Sequence, residues 1–415
     1  MRNAIARHKI SKSIDADSVK ANLQDHLCNT NKRVVVLSTD YWLDSLHGPS
    51  IVELFRALSK IGYDVNILVP STKNKNEKDG FLSVMGLDVR RYIPVVTLFS
   101  LYIRALKHVL AERNTVIIFD PPMFNLFLLA RFFRKSEGIL LILSRPLVEK
   151  GFRRWLHFLH FRLLLILGKS FVKRFTAITP LEAAEFSRLG KIPLKKVTVI
   201  PSPLGKEFEE LDFPKDKNEL RIKLGLKSLV GRRVLLYQGT LDERRGILEF
   251  LELFIESFKG NNKIALLIIG DGPARDSVKS FIAHNEATNI VLLNPLPYSE
   301  MPKAITACDV GLVLLPDKPL WRYQCPTKLV EFLALGKPII ASDLPGIRWV
   351  ANNSPLVLFV KHMTASSLSK ATEKLLVKNE IMTTDCMRIR QEMIDRFSSS
   401  SLAKTLDCMI CSDCA

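Results

Sequence analysis

Several short stretches combine residue types that can hold a diphosphate and a vicinal diol. Pro326-Thr327-Lys328 opens a helical pattern and sets a cation at its start, where free backbone N–H groups and the helix dipole favour anions. Arg245-Gly246 opens a second helix after a strand, so both cations can converge on phosphate. Glu331 lies four residues beyond Thr327, on the same helix face, where a carboxylate can hold two hydroxyls. Gly239-Thr240 and Gly270-Asp271-Gly272-Pro273 each close an apolar run with a turn. The plainer readings are a solvated face for Glu331, a surface charge cluster for Glu243-Arg244-Arg245, and a simple turn at 270–273.

A second signal is physical rather than chemical. Residues 145–175 hold eight basic side chains, among them Arg145, Arg153 and Arg154, against the single acid Glu149. Trp155 and five phenylalanines are interleaved. On a helix, Lys150, Arg153, His157 and His160 share one stripe, while Trp155, Leu156, Leu159 and Leu163 share an apolar one. Basic and aromatic residues in this arrangement suit an anionic membrane surface; the plainer reading is a core helix with a charged outer coat. The Cys408, Cys411 and Cys414 spacing lacks a fourth ligand, and no His/Asp/Cys set in the core has metal-ligand spacing, so no metal is expected.

The elements that position these residues follow from the pattern. With 415 residues the chain is too long for one core, and 47% hydrophobic with 25% charged residues is an ordinary globular balance. Apolar runs alternate with helical spacing, first over 32–40, 51–62 and 63–70, and again from 234 onward. That alternation predicts two doubly wound, parallel-sheet α/β domains facing across a cleft. The expected boundaries are a polar tail at 1–31, a first domain at 32–204, a linker at 205–230, a second domain at 231–384, and a C-terminal helix and tail at 385–415, of which the helix near 385–396 is expected to pack back on the first domain. Charge divides the same way. Residues 1–200 carry 32 basic and 16 acidic side chains, whereas 201–415 carry 28 and 26. The first half is therefore expected to meet an anionic partner. No recognition-module signature points to nucleic acid. The opening residues lack a signal-peptide core, no uncharged run reaches the roughly 18 residues of a membrane span, and the odd cysteine count gives no disulfide framework. The expected location is the cytoplasm, peripheral at the inner face of the membrane.

The second half resembles the family 4 glycosyltransferases of the GT-B fold. The resemblance is carried by GTLDERRG (239–246), GDGP (270–273), CDVGLVLLP (308–316) and PTKLVEFLALGKPIIASDLPG (326–346). In the first half Gly48 stands in the family's acceptor-side glycine loop, GYDVNILVP resembles its second strand, and IPSPLGKEF resembles its crossover. The resemblance implies a retaining, metal-independent sugar transfer from a UDP- or GDP-sugar, with no cofactor, to a glycan or lipid-linked acceptor. It implies donor contacts at Gly239, Thr240, Arg245, Gly270, Pro326, Thr327, Lys328 and Glu331, and catalytic candidates at Asp120 and Arg145. Departures are Thr240 where the family has an arginine, Tyr323 where it has the first glutamate of a pair, and Ser144-Arg145 where it often has His or Asp. An inactive GT-B relative acting as a membrane-surface scaffold, or a nucleotide-sugar epimerase, are the alternative readings.

Overall fold

The computed structural model describes residues 33–39, 48–71, 76–88, 102–103, 105–106, 109–110, 116–134, 136–142, 152–209, 216–377 and 383–411. The tail at 1–31 and Arg145 lie outside them. So do the side chains of Arg153 and Arg154, although their backbone is helical.

The first domain is built from β1 (Arg33–Leu37), α1 (Gly48–Lys60), β2 (Asp64–Ser71), β3 (Asn76–Asp79), β4 (Leu82–Asp88), β5 (Val116–Phe119), α2 (Phe124–Arg134), β6 (Glu137–Leu140), α3 (Phe152–Phe171), β7 (Arg174–Ala177), α4 (Pro180–Gly190) and β8 (Val197–Val199). Gly48 is thus the first residue of α1. The sheet order is β3-β4-β2-β1-β5-β6-β7-β8, parallel except for the β3/β4 hairpin. The central strands are continuous apolar runs because helices cover both faces. One face is packed by α2, α3 and α4 through Phe127, Leu164, Leu165 and Phe186. Gly138 admits no larger residue, since a Cβ there would stand 2.3 Å from the Phe127 ring.

The second domain holds α5 (Lys217–Lys223), β9 (Arg233–Gln238), α6 (Ile247–Ser257), β10 (Ile264–Ile269), α7 (Arg275–His284), β11 (Ile290–Leu293), α8 (Met301–Thr306), β12 (Val310–Val313), α9 (Thr327–Ala334), β13 (Ile339–Ser342), α10 (Pro345–Ala351), β14 (Val357–Val360) and α11 (Ala365–Val377). Its sheet, β11-β10-β9-β12-β13-β14, is fully parallel. The strand order turns at β9/β12, which places a ligand crevice beyond the carboxyl ends of β9, β10 and β12.

The amino ends of the same strands are fixed by buried charge. Asp309 accepts hydrogen bonds from Arg221 at 2.9 Å, Lys217 at 2.8 Å and the Val234 amide at 2.8 Å. Arg221 also donates to the carbonyls of Ala307, Leu229 and Arg232. Burial opposes ionisation of Asp309, but the Lys217 bond, the Val234 amide and both cations hold its carboxyl below the usual range. Lys337 donates to the carbonyls of Thr306 and Cys308, while burial pushes it down to about 7. Arg221 belongs to α5, a buried-faced helix inside the stretch that reads in sequence as a charged linker.

Two helices close the chain. α12 (Thr383–Phe397), the helix expected near 385–396, packs on α9 in the second domain rather than on the first, because Ile389, Met393 and Phe397 join that core; α13 (Ser399–Ile410) is the helix that crosses to the first, covering α1 with Leu402, Leu406 and Ile410. Tyr63 anchors it by donating to Asp407 at 2.6 Å.

Candidate functional site

The crevice at the carboxyl ends of β9, β10 and β12 holds a cavity of about 300 Å³. Gly239, Thr240, Arg245, Gly270, Pro326, Thr327, Lys328 and Glu331 all line it, and Ser202 joins from the interdomain crossover. The sequence motifs far apart in the chain therefore meet in one place.

Local structure explains each placement. The loops after β9 and β10 are zipped together by Gly239 N to Ile269 O and Leu241 N to Asp271 O, both 2.9 Å. Gly239 sits at φ 114°, and a Cβ on Gly270 would lie 1.9 Å from the Gly239 carbonyl oxygen. Neither position tolerates a side chain. Asp242 then caps a 3-10 turn over Glu243–Arg245 by accepting from the Arg244 amide, and it also pairs with the Arg244 guanidinium. With Arg244 turned away, Arg245 faces the cavity and stacks 5.0 Å over Trp321.

α9 begins after Pro326, which stands at the N-cap and offers no side-chain cap. Its first amides consequently have no acceptor from the helix itself and open toward the cavity at Thr327 and Lys328. Lys328 is buried, with its ammonium 4.3 Å over the Tyr237 ring. Its Nζ has no hydrogen-bond partner among the described residues. Burial and the nearby Arg245 cation push this lysine down to about 7. One turn on, Glu331 accepts from Gln238 Nε2 at 2.6 Å and from the Tyr298 hydroxyl at 2.9 Å. Burial dominates its titration and raises it to about 7, against the pull of Tyr298, Lys328 and Gln238. An unpartnered buried cation beside a firmly held carboxylate is costly in a free protein and suits an incoming anion that carries a diol. Gln238, Tyr298 and Trp321 were not singled out by the sequence. A polar residue ending an apolar strand was the available signal for Gln238.

The first-domain candidates are placed differently. Asp120 ends β5, and its Oδ2 accepts from the Thr39 amide at 2.5 Å, the Thr39 hydroxyl at 2.7 Å and the Ser38 hydroxyl at 3.1 Å. These bonds tie it to the end of β1, and it does not line the cavity. Thr179, the N-cap of α4, donates to the Tyr323 carbonyl at 3.0 Å and links the first domain to the loop before α9. On α3 the inward residues are Phe161, Leu164 and Leu165. Trp155, Leu156, Leu163, Leu167 and Phe171 stand between 44% and 56% exposed. The apolar stripe expected from the sequence therefore faces out. No group of three or more His, Cys, Asp or Glu side chains converges among the described residues.

Residues 232–378 match the family model described as Glycosyl transferases group 1. The chain is 23% identical over 199 residues to the alpha-D-kanosaminyltransferase of Streptomyces kanamyceticus, 48% of this chain and 49% of that one. It is 33% identical over 166 residues to the probable glycosyltransferase WbjE of Pseudomonas aeruginosa, 36% of this chain and 41% of that one. The matches thus span about half of these relatives or less. Among solved structures, Anabaena HepE in complex with UDP-glucose superimposes with a TM-score of 0.69 at 13% identity, over 92% of this chain and 99% of that one. WaaG, a glycosyltransferase involved in lipopolysaccharide biosynthesis, gives 0.67 at 14%, over 91% and 99%. These likenesses establish the GT-B fold read from the sequence.

Proposed function

We propose, from a second domain that matches the group 1 glycosyl transferases and a chain with the GT-B fold, that this protein moves a sugar from a nucleoside-diphosphate sugar to a glycan or lipid-linked acceptor. The observation that carries the reading is the buried Lys328 ammonium, unpartnered among the described residues and aimed into a cavity shared with Arg245 and Glu331. The donor's diphosphate would lie between Arg245, Lys328 and the first amides of α9, and Glu331 would take the ribose hydroxyls. Lysine, arginine and helix N-terminus would neutralise the leaving diphosphate as its bond to the sugar breaks, which makes metal-independent transfer the expected chemistry, and the resemblance to family 4 implies retention. Asp120 and Arg145 are the acceptor-side candidates for catalysis, with Gly48, at the start of α1, the candidate for acceptor binding. That HepE was solved with UDP-glucose favours a UDP-sugar over a GDP-sugar.

The outward face of α3 supports a membrane-borne acceptor. Leu163, Leu167 and Phe171 are exposed beside Arg162 and Lys169, and Lys196 beside Leu194 donates to the Lys169 carbonyl at 3.1 Å. No described helix is long and apolar enough to cross a membrane, so the expected mode is peripheral, on anionic headgroups.

Thermal shift of the purified protein against UDP, GDP and their sugars tests the donor reading. Stabilisation by one nucleotide, lost in Glu331→Ala and Lys328→Ala, is the expected result. No response to any nucleotide overturns it. Turnover is expected to withstand EDTA, and activity restored only by added Mg²⁺ or Mn²⁺ would remove the metal-independent mechanism.

A further inference from the structure

One of the two groups holding Glu331 is braced outside the second domain's sheet. Tyr298 lies in the 3-10 turn Tyr298–Glu300, between β11 and α8. Its hydroxyl donates to Glu331 Oε1 at 2.9 Å. Its ring leans on Phe208, with centroids 5.6 Å apart, and presses on Gly205 so closely that a Cβ there would stand 2.3 Å from the ring. Gly205 and Phe208 belong to the crossover that leads from β8 into the second domain.

That crossover is itself pinned to two helices, α12 and α1. Leu204 N donates to Phe397 O at 2.7 Å, Arg390 donates to the Glu209 carbonyl at 2.9 Å, and Lys206 pairs with Glu53 of α1 at 3.4 Å. A phenol caught between Gly205, Phe208 and Glu331 cannot turn aside unless the crossover moves. The aromatic ring therefore acts as a rigid spacer between the interdomain connection and the carboxylate.

We propose that Tyr298 is a positioning residue, which fixes the Glu331 carboxylate against the interdomain crossover and so sets the site's preference for a nucleotide with both ribose hydroxyls. The inference rests on the donor reading above. The groups facing Glu331 are Lys328 on its own helix, Gln238 from β9 and Tyr298 from the turn. Glu207 of the crossover faces Tyr298 in turn, and Arg245 faces Lys328.

Two measurements on the full chain decide it. In protein carrying ¹³C-labelled glutamate, the Glu331 carboxyl resonance is identified by its absence in Glu331→Gln. Because the phenol bond favours the carboxylate, Tyr298→Phe moves the titration midpoint of that resonance upward; an unchanged midpoint overturns the proposal. Calorimetry with UDP and 2′-deoxy-UDP then reads selectivity. Tyr298→Phe is expected to lose roughly tenfold in UDP affinity, the worth of one hydrogen bond to a charged group, with little change for the deoxy nucleotide. A retained preference for UDP overturns it. Should that variant not fold, Gly205→Ala, at a φ of −69° that suits alanine, keeps the phenol in the chain but displaces it, since the new Cβ would stand 2.3 Å from the ring and 2.9 Å from the hydroxyl oxygen. It must erase the same preference, and a preference that survives overturns the proposal. If the wild type binds neither nucleotide, the donor reading fails, while the carboxyl titration still decides whether Tyr298 positions Glu331.

Discussion

Two clusters of buried charge sit at opposite ends of the second domain's sheet, and they are built from nearly the same residue types. At the amino ends, Arg221, Lys217, Lys337 and Asp309 satisfy one another and the surrounding carbonyls. At the carboxyl ends, Glu331 is held twice, but Lys328 Nζ, Gln238 Oε1 and the Tyr237 hydroxyl have no hydrogen-bond partner among the described residues. Completeness separates a structural network from a binding site here, since composition and burial do not. Buried polar groups are ordinarily paired, so the deficit is what favours the carboxyl end as the proposed donor site.

The sharpest way to break this comparison is to cut each cluster. Asp309→Ala leaves Arg221 buried without its carboxylate and should destabilise the protein by about 3–5 kcal/mol, read by denaturant unfolding, with UDP affinity intact well below the transition. Glu331→Ala should do the reverse, costing on the order of a hundredfold in turnover with little loss of stability; a larger loss of stability than of turnover would erase the distinction. Lys328→Met should weaken nucleotide binding yet stabilise the free protein by about 1 kcal/mol, because a buried ammonium with no hydrogen-bond partner among the described residues is replaced by an apolar chain.

Titration gives a smaller effect. Glu331 is raised from 4.5 to about 7 in the fold, so its contribution is present below pH 4.5 and lost as pH climbs to 7. Lys328 and Lys337 are lowered from 10.5 to about 7, so the unfolded chain binds the extra protons between those values and stability rises with pH across that range. Melting temperature against pH should show a trough near 7, shallower on its alkaline side in Lys328→Met. The least perturbing test concerns α3. Leu167→Glu should lower binding to anionic vesicles without changing the melting temperature, whereas Leu164→Ala, on the inward face, should cost about 2–5 kcal/mol.

The fold was legible because parallel strands buried on both faces are plain apolar runs, as in VLLYQGT and IALLIIGDGP. Pro326-Thr327-Lys328 and Glu331 were legible because helix starts and one-turn spacing are local properties. Gln238 and Tyr298 were not, since each acquires its role only through a contact 93 or 33 residues away. On α3 the sequence left an interfacial and a core reading open, because apolar residues ring most of the helix, and the exposure of Trp155, Leu156 and Leu163 was needed to say which stripe faces out. The β3/β4 hairpin and α5 lie in charged segments whose pattern is too weak to declare an element.

The return of α13 to the first domain has a consequence for how the chain is made. Leu402, Leu406 and Ile410 complete the cluster over Leu54, Phe55 and Tyr63, yet they are translated only after the whole second domain. A ribosome-bound chain must therefore hold an uncovered apolar face for the time needed to synthesise some two hundred residues, on the order of tens of seconds at ordinary elongation rates. During that interval the uncovered face is open to non-native association, and the docking of α13 closes it.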